Sequence, residues 1–411
     1  MFAWIGELSG REKKTLIAAY GGWSVDAFDF MIYTFVIPTL IAVWGMSKGQ
    51  AGLIATSALL MSALGGWIAG ALSDRFGRVR VLQITIAWFA CFTFLCGFTQ
   101  SFEQLLVVRS LQGLGFGGEW AVGSVMIGEM IRARHRGKAV GTVQSGWAVG
   151  WGAAALMFAI FFSLLPEAVA WRALFWVGLA PALLIFYIRR HVKDADVFIA
   201  TRRRVGARRA SFLEIFSPRL LRTTVLTSLM ASGMQGGYYA VTIWLPTYLK
   251  TVRGLSVIGT GGYLAVIISG AFAGYLTAAW LSDFMGRRNT FFLFAGCSAL
   301  IAVTYTLLPM SDGQMLVLGF PLGFFVSGNF SGIGAYFTEL FPSRVRGSGQ
   351  GFAYNFGRGI GALFPALVGY LSASMPLGRA IGIFAGAAFG VVIIAVALLP
   401  ETRGKHLAVY D

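Results

Sequence analysis

Charged residues are scarce in this chain. Only 12% of its residues are Asp, Glu, Lys or Arg, whereas 57% are hydrophobic, and the mean hydropathy is +0.72. A soluble protein of this length carries about twice that share of charge on its surface. Apolar runs of roughly 20 residues recur along the whole chain, and each is long enough to cross a bilayer as a helix. The composition therefore excludes a soluble fold and predicts an all-α membrane protein.

Cysteine and histidine are also rare, with three residues of each. All three cysteines fall inside apolar runs, which predicts free thiols and no disulfide. The histidines are scattered, and the chain has no P-loop, so we expect no metal site and no ATP coupling. Gly113, Gly115 and Gly118 match a dinucleotide fingerprint by spacing, but they lie inside an apolar run with no preceding strand, so tight helix packing explains them better. We predict no cofactor, no metal and no enzymatic activity.

The apolar runs define twelve predicted membrane spans. They cover residues 15–40, 51–73, 81–99, 103–127, 138–163, 168–188, 222–248, 258–281, 290–308, 313–337, 348–372 and 378–399. A polar stretch at residues 191–221 separates a first half, residues 1–190, from a second half, residues 222–411. Each half contains six spans, and the stretch between them is predicted to be a cytoplasmic linker.

Positive charge is concentrated on one side of these spans. Of the 33 Lys and Arg residues, 26 lie in the termini and in the alternate loops that face one side, whereas five lie in the opposite loops. The positive-inside rule then places both termini and the linker in the cytoplasm of a bacterial-type inner membrane. The net charge of +16 is therefore mainly a topology signal and does not indicate nucleic-acid binding. A lipid-headgroup role for the three arginines at 202–204 remains an alternative.

Two loop motifs recur at a fixed distance along the chain. Residues 72–78, Leu-Ser-Asp-Arg-Phe-Gly-Arg, return as residues 281–287, Leu-Ser-Asp-Phe-Met-Gly-Arg, at an offset of 209. Glu129 precedes Arg136 by seven residues, and Glu339 precedes Arg346 by the same seven, at an offset of 210. Two unrelated motifs at one offset indicate a repeat of six spans in the same orientation. A carrier that alternates access to a central site between its halves requires such an arrangement.

Along essentially its full length the chain resembles the major facilitator superfamily. Residues 70–80 are similar to the signature between helices 2 and 3 of that family, residues 109–113 resemble its helix 4 signature, and residues 400–404 resemble the sequence that often follows helix 12. In the second copy of the first signature, Ala279 replaces the glycine, so that copy is degraded. The resemblance implies twelve transmembrane helices in two pseudo-symmetric six-helix bundles.

The charges of these loop motifs suggest a conformational latch. Carboxylates at helix ends can accept hydrogen bonds from a helix N-terminus or pair with a neighbouring Arg, and such contacts can hold one conformation. Alternatively, the charges only anchor helix ends at the lipid headgroups. The predicted latch residues are Gly70, Asp74, Arg75, Gly77, Arg78, Glu129, Arg136, Asp283, Gly286, Arg287, Glu339 and Arg346.

Ionisable residues inside membrane spans are costly and indicate function. Asp26 and Asp29 lie one turn apart in the first span and are expected to share a face. Two carboxyl groups so close together in a low dielectric favour proton binding near neutral pH. Arg109 and Glu119 of the fourth span are further candidates for proton coupling. The alternative is a structural carboxylate paired with Arg109, with Glu119 bonded to a nearby backbone.

Arg358 is the buried charge of the second half. The seventh, eighth, ninth, eleventh and twelfth spans contain no acid, so its partner must be Glu339, an acid of the first half or the substrate. A guanidinium matches a carboxylate, and we expect an anionic substrate here. Other polar or aromatic residues could line the same cavity or form helix–helix hydrogen bonds. These candidates are Gln144, Trp147, Gln235, Tyr238, Tyr239, Asn329, Tyr354 and Asn355.

Residues 26–30, Asp-Ala-Phe-Asp-Phe, look like the helix 1 signature of the sialate:proton symporter family, which includes lactate and other monocarboxylate permeases. The resemblance implies uptake of a small organic anion with protons, either a monocarboxylate of the lactate or pyruvate type or sialate, by a monomer in the lipid bilayer. Aromatic-acid symporters, which usually carry glycine in place of Ala27, are the nearest alternative. Residues 146–152 lack the Gly-Pro element of proton antiporters, which disfavours export. The third alternative is a membrane sensor without transport activity, which would need an appended signalling domain, and we expect the tails to be too short for one.

Overall fold

The computed structural model describes residues 3–131, 133–180, 182–191, 212–342 and 345–403, and its regular structure in these ranges is helical. The first half contains α1 (Gly10–Trp44), α2 (Lys48–Phe76), α3 (Arg78–Cys96), α4 (Phe102–Met130), α5 (Ala133–Leu164), α6 (Glu167–Val177) and α7 (Ala182–His191). The second half contains α8 (Pro218–Thr247), α9 (Val257–Phe284), α10 (Arg287–Leu307), α11 (Asp312–Gly328), α12 (Ile333–Leu340), α13 (Arg346–Gly361), α14 (Phe364–Leu371) and α15 (Leu377–Leu398). In the described ranges, nine helical segments are long and apolar enough to cross a membrane.

Serine side chains fix the starts of several long helices. Ser9 and Glu12 form a capping box at the start of α1, and Ser47 and Gln50 form another at the start of α2. In each box the side chains satisfy backbone N–H groups that have no partner within the helix. The cap at Ser9 therefore sets the register in which α1 carries its aspartates into the membrane.

Three of the predicted spans each consist of two helices. The span 168–188 is divided into α6 and α7, the span 313–337 into α11 and α12, and the span 348–372 into α13 and α14. Irregular backbone at membrane depth is tolerated where protein buries it. The last of these breaks comes after Gly361, so Arg358 lies in the last turn of α13. The predicted linker also ends earlier than expected, because α8 begins at Pro218, and residues 192–211 of it lie outside the described ranges.

The helix packing repeats from one half to the other. Close contacts of glycines with the backbone of a neighbouring helix join α2 to α4 and α9 to α11, and a Cβ at any of these glycines would overlap that backbone. Small residues allow membrane helices to approach in this way. The pairs are Gly65–Leu114 and Gly113–Ala58 in the first half, and Gly274–Phe324 and Gly323–Ile267 in the second. Corresponding positions are 209 or 210 residues apart, as in the loop motifs.

The loops between α2 and α3 and between α9 and α10 also share one geometry. Gly77 and Gly286 adopt φ angles of 103° and 98°, which favour glycine. Arg78 donates to Oγ of Ser73 at 2.6 Å, and Arg287 donates to Oγ of Ser282 at 2.9 Å. We call the end of the molecule that carries these two glycines the signature end, and the opposite end the far end.

Four pairs of helices in the described part of the chain join the two halves. In the described ranges, α1 packs against α8, α5 packs against α9, and α2 packs against α13 and α14. The ionisable residues predicted inside the spans lie close to this interface or within the first bundle.

Candidate functional site

Aromatic rings from both halves meet at the centre of the molecule. The indole Nε1 of Trp147 in α5 donates to the hydroxyl of Tyr238 in α8 at 2.6 Å. The Phe30 ring lies 5.5 Å from the Phe116 ring and 6.0 Å from the Tyr239 ring, measured between centroids. Together with three nearby ionisable residues they form what we call the central site, which comprises Asp26, Phe30, Phe116, Glu119, Trp147, Tyr238, Tyr239, Tyr354 and Arg358.

Arg358 lies at the boundary between the halves. Its side chain is 2% exposed, and its guanidinium carbon lies 5.5 Å from the centroid of Phe116 of the first half and 5.1 Å from that of Tyr354. Both distances are within the range of cation–π attraction. The last turn of α13 carries Arg358, and the partial negative charge of the helix C-terminus favours a cation there. Within the described part of the chain, its Nε and Nη1 have no hydrogen-bond partner.

Asp26 and Glu119 lie together opposite Arg358. The two carboxyl groups interact electrostatically with each other, and Asp26 also interacts electrostatically with Arg358. Both are buried, Asp26 at 0% and Glu119 at 4% exposure. Oε1 of Glu119 rests against Gly22, one turn before Asp26, where an added Cβ would overlap it. Gly22 thus makes the room in which the two carboxyl groups meet.

Asp29 points into the first bundle, where its neighbours differ from those of Asp26. Its Oδ2 accepts a hydrogen bond from Thr93 of α3 at 3.2 Å, and Thr93 accepts one from Gln112 of α4 at 3.3 Å. A Cβ at Gly178 would lie 3.1 Å from its Oδ1. Arg109 interacts electrostatically with Asp29, but the two are farther apart than a 4.0 Å ion pair, and its guanidinium lies over the Tyr33 ring. The two aspartates therefore have different partners.

Most of the other predicted cavity residues make internal hydrogen bonds. Gln235 donates to the carbonyl of Tyr354 at 2.9 Å, and Tyr239 donates to Gln235 at 3.2 Å. Gln144 donates to the carbonyl of Phe330 at 3.3 Å, which joins the two halves.

Two asparagines are likewise engaged. Asn355 donates to Gly351 at 3.0 Å and faces Gly66 of α2, whereas Asn329 donates to Ser298 at 3.0 Å inside the second bundle. Asn329 is therefore separate from the central site.

The predicted latch of the second half is an ion-pair cluster. Arg287 pairs with Glu339 at 3.0 Å, and Thr402 donates to Glu339 at 2.5 Å. Glu401 accepts the backbone N–H groups of Arg287 at 2.9 Å and Arg288 at 3.0 Å, so it caps α10. Partial burial acts to raise the pKa of Glu401, but four backbone N–H donors outweigh it and the pKa is lowered. Arg346 instead donates to the carbonyl of Thr338 at 2.8 Å.

The first-half latch is described only in part. Arg78 and Gly77 adopt the geometry given above, and a Cβ at Gly70 would contact nothing within 4 Å. The side chains of the remaining predicted residues lie outside the described part of the chain: Asp74, Arg75, Glu129, Arg136 and, in the second half, Asp283.

Contacts at the far end join the halves directly. Lys250, on the π-helical turn Tyr248–Val252 after α8, pairs with Glu167 of α6 at 3.0 Å, and Thr39 of α1 donates to the same carboxylate at 2.6 Å. The backbone N–H of Ala366 in α14 donates to Thr56 of α2 at 3.2 Å. These contacts link the two halves on this side.

A cavity of about 690 Å³ lies between α5 and α9. Its lining is apolar, apart from one serine, and includes Ala148, Gly152, Ala155, Gly261, Ile268 and Phe272. Because no charged side chain reaches it, this cavity does not offer an anion site.

Sequence reasoning missed two residues of the central site and several residues that surround the buried charges or the latch. Phe30 and Phe116 lie in apolar spans, where nothing in the sequence distinguishes them from the other phenylalanines. Thr93 and Gln112 belong to no recognisable motif. Glu401 belongs to the segment 400–404 noted above, but no contact was predicted for it. Gly22 could have been suspected only from knowledge that Glu119 lies opposite.

Two repeated helical halves with buried acids and an arginine between them define the class of secondary membrane transporters. The chain belongs to the Major Facilitator Superfamily, whose family model matches residues 19–317 and, in a second match, residues 270–409. The predicted twelve-helix fold and the recognition of the family are confirmed. The protein is thus a multi-pass membrane transporter of a small organic substrate and not an enzyme.

Relatives cover almost the whole chain. A probable 4-methylmuconolactone transporter of Cupriavidus pinatubonensis is 45% identical over 98% of this chain and 94% of its own length. The sialic acid transporter NanX of Escherichia coli is 26% identical over 96% of both chains. The solved structure of the proton:xylose symporter XylE superimposes with a TM-score of 0.72 at 18% identity, covering 96% of this chain and 97% of that chain.

Proposed function

We propose that this transporter takes up a small organic anion together with protons. The observation that carries the proposal is the geometry of Arg358, a buried cation at the interface of the halves whose Nε and Nη1 have no hydrogen-bond partner in the described ranges. A buried charge of this kind is costly unless a partner compensates it. A substrate carboxylate would supply that partner, because a guanidinium offers it two parallel N–H donors.

The walls around Arg358 favour a monocarboxylate with a flat, unsaturated ring. Phe116, Tyr354, Phe30 and Tyr239 present π faces, whereas Gln235 is occupied by internal hydrogen bonds. A sugar acid such as sialate would leave many hydroxyl groups without partners here, and unmet hydrogen bonds are expensive. The relative named for 4-methylmuconolactone supports the same class. Lactate, pyruvate and sialate are the second choice, and aromatic acids belong to the favoured class.

The transport cycle that we propose follows the alternating-access scheme. From the far end, which we place outside the cell, a proton reaches the acids of α1 and α4 and the anion docks at Arg358. Mutual neutralisation removes the cost of closing the site over unpaired charge. The halves then rock, the far-end contacts of Lys250 and Ala366 close, and the cargo leaves at the signature end into the cytoplasm. We further propose that the protein works as a monomer in a bacterial-type inner membrane.

Uptake into proteoliposomes under an imposed pH gradient tests this function. The panel contains 4-methylmuconolactone, benzoate, lactate, pyruvate and sialate, with empty liposomes as the control. We expect accumulation of a ring acid that collapses when a protonophore removes the gradient. Accumulation of none of these acids, or outward movement of acid against proton entry, would contradict the symport proposal.

A further inference from the structure

The buried charges of the molecule do not balance. In the described part of the predicted spans, the fully buried side chains of Asp, Glu, Lys, Arg or His type are three acids and two arginines, none more than 4% exposed: Asp26, Asp29, Glu119, Arg109 and Arg358. With all five ionised, the site would carry one negative charge in excess. Burying an unpaired charge costs several kcal/mol even after relaxation, so the empty carrier needs one bound proton to close.

The contacts show where that proton belongs. Asp29 has Arg109 as its cationic neighbour and Thr93 as a donor, and it is also repelled by Glu119. Asp26 interacts electrostatically with Glu119, Asp29 and Arg358. Asp29 and Arg109 therefore compensate each other, which leaves one guanidinium, Arg358, to balance two carboxyl groups.

Two ionised carboxylates cannot hydrogen-bond, since both are acceptors only. Glu119 reaches α1 at Gly22, one turn before Asp26, and neither Asp26 oxygen nor Oε2 of Glu119 has a donor among the described residues. Gly22 holds Oε1 of Glu119 in place by leaving room for it. A proton shared by the two carboxyl groups supplies a donor to these oxygens and gives the pair the single negative charge that Arg358 balances.

We propose that Asp26 and Glu119 form one proton-binding unit that keeps a resident proton in the empty carrier and takes up a second proton when an anion occupies Arg358. This inference rests on the proposed function and deepens it. The anion replaces the pair as the partner of Arg358, and the pair then binds a proton from the outer solution to become neutral. On the inner side the anion and that proton leave, whereas the resident proton stays.

The net charge moved in each transport cycle follows from this balance of buried charges. One proton accompanies one monoanion, so the loaded and the empty carrier are both neutral inside the membrane. Transport of a monocarboxylate should therefore respond to a pH gradient and not to membrane potential. In proteoliposomes loaded with benzoate or 4-methylmuconolactone, a potassium-diffusion potential imposed without a pH gradient should move neither acid, whereas accumulation driven by that potential would overturn the assigned stoichiometry.

Infrared spectroscopy of the purified, substrate-free protein in lipid nanodiscs tests the resident proton without any transport assay. At neutral pH we expect a protonated-carboxyl band that shifts in D₂O. Asp26→Asn and Glu119→Gln should each abolish the band, because the remaining carboxylate then accepts a hydrogen bond from the new amide. The charge-compensated double variant Asp29→Asn/Arg109→Gln should keep the band.

Each outcome decides the proposal. Absence of the band in the wild-type protein at neutral pH overturns it, and so does persistence of the band in both single variants or its loss from the Asp29→Asn/Arg109→Gln protein. Having two single variants keeps the test valid if one of them fails to fold. Because the spectra need no substrate, a negative uptake panel would refute the proposed cargo and still leave the proton assignment open to this measurement.

Discussion

The two halves share a frame and differ in their chemistry. Gly146 and Gly150 of α5 pack against α1, and Gly357 and Gly361 of α13 pack against α8 in the same way. In this frame Trp147 of the first half corresponds to Arg358 of the second, the residue that directly follows the first glycine of each pair. The first half thus contributes an indole where the second contributes a cation.

The acids show the same division. At the offset of 211 residues set by these glycine contacts, Asp26 corresponds to Gly237 and Asp29 to Ala240, so carboxyl groups of the first half correspond to neutral residues of the second. The repeated glycines and loops provide two bodies that can rock against each other. The unequal interiors assign proton binding to one body and anion binding to the other, and the following variants test that division.

Removing the cation should have the largest effect. Arg358→Ala is expected to weaken anion binding by about 10- to 100-fold, as a charge-assisted hydrogen bond is worth roughly 1.5–3 kcal/mol. Binding of benzoate and 4-methylmuconolactone by isothermal titration measures the loss. Arg379→Ala, which removes an exposed arginine, is the matched control and should bind normally. Equal affinities of the two variants would remove Arg358 from the site.

The shared frame can be broken in either half. Gly65→Ala and Gly274→Ala should each destabilise the protein by about 1–3 kcal/mol, because the new methyl group overlaps a neighbouring helix backbone. Thermal unfolding in detergent should show similar losses for both variants. Gly262→Ala is the control, since a Cβ there meets nothing within 4 Å. A loss confined to one variant would contradict equivalent packing in the two halves.

Acid pH should weaken the latch of the second half through Glu401. Its pKa is lowered from 4.5 in the folded protein, so the stabilising contribution of its carboxylate is complete above about pH 4.5 and is lost as the pH falls through the folded value. The position 210 residues earlier is His191, so the first half lacks this acid. Glu401→Gln should lower the unfolding temperature at pH 7 and flatten its decline below pH 4.5. An unchanged acid profile would remove Glu401 from the latch.

The far-end ion pair should have the smallest effect. Glu167 and Lys250 are partly exposed, and such pairs contribute about 0–1 kcal/mol. Glu167→Lys should raise access to the interface at this end and change the uptake rate by at most a few fold. Labelling of a cysteine introduced at Thr56 reports that access. The reversed pair Glu167→Lys/Lys250→Glu should restore it, and failure to do so would show that charge is not the cause.

Composition and spacing were sufficient to predict the fold class and the repeat. Apolar runs predicted the spans, because few other sequences are stable as helices in the hydrocarbon core of a bilayer. The offset of 209 between the loop motifs is found again in the glycine contacts. The breaks after Val177 and Gly328 were not predictable from hydropathy, since the apolar runs extend on both sides of each break. They depend on which neighbouring helix fills the gap.

The sequence was sufficient to predict which charged residues belong to the site, but not how they are arranged in space. Asp26, Glu119 and Arg358 stand out as costly residues inside spans. Spacing along α1 placed Asp26 and Asp29 on one face, but a 60° difference around a helix is enough to direct them to different neighbours. Their partners, Glu119 and Thr93, come from helices distant in sequence, and that pairing requires the fold.

Proton uptake on substrate binding tests the central claim most directly. A binding-competent ring acid is added to the detergent-solubilised protein in weakly buffered solution, and the pH change gives the protons taken up per anion bound. We predict about one proton for the wild-type protein, about one for Glu119→Gln, and none for Asp26→Asn/Glu119→Gln. Anion binding without proton uptake in the wild-type protein, or undiminished uptake in the double variant, would contradict coupling between the acids of the first half and the arginine of the second.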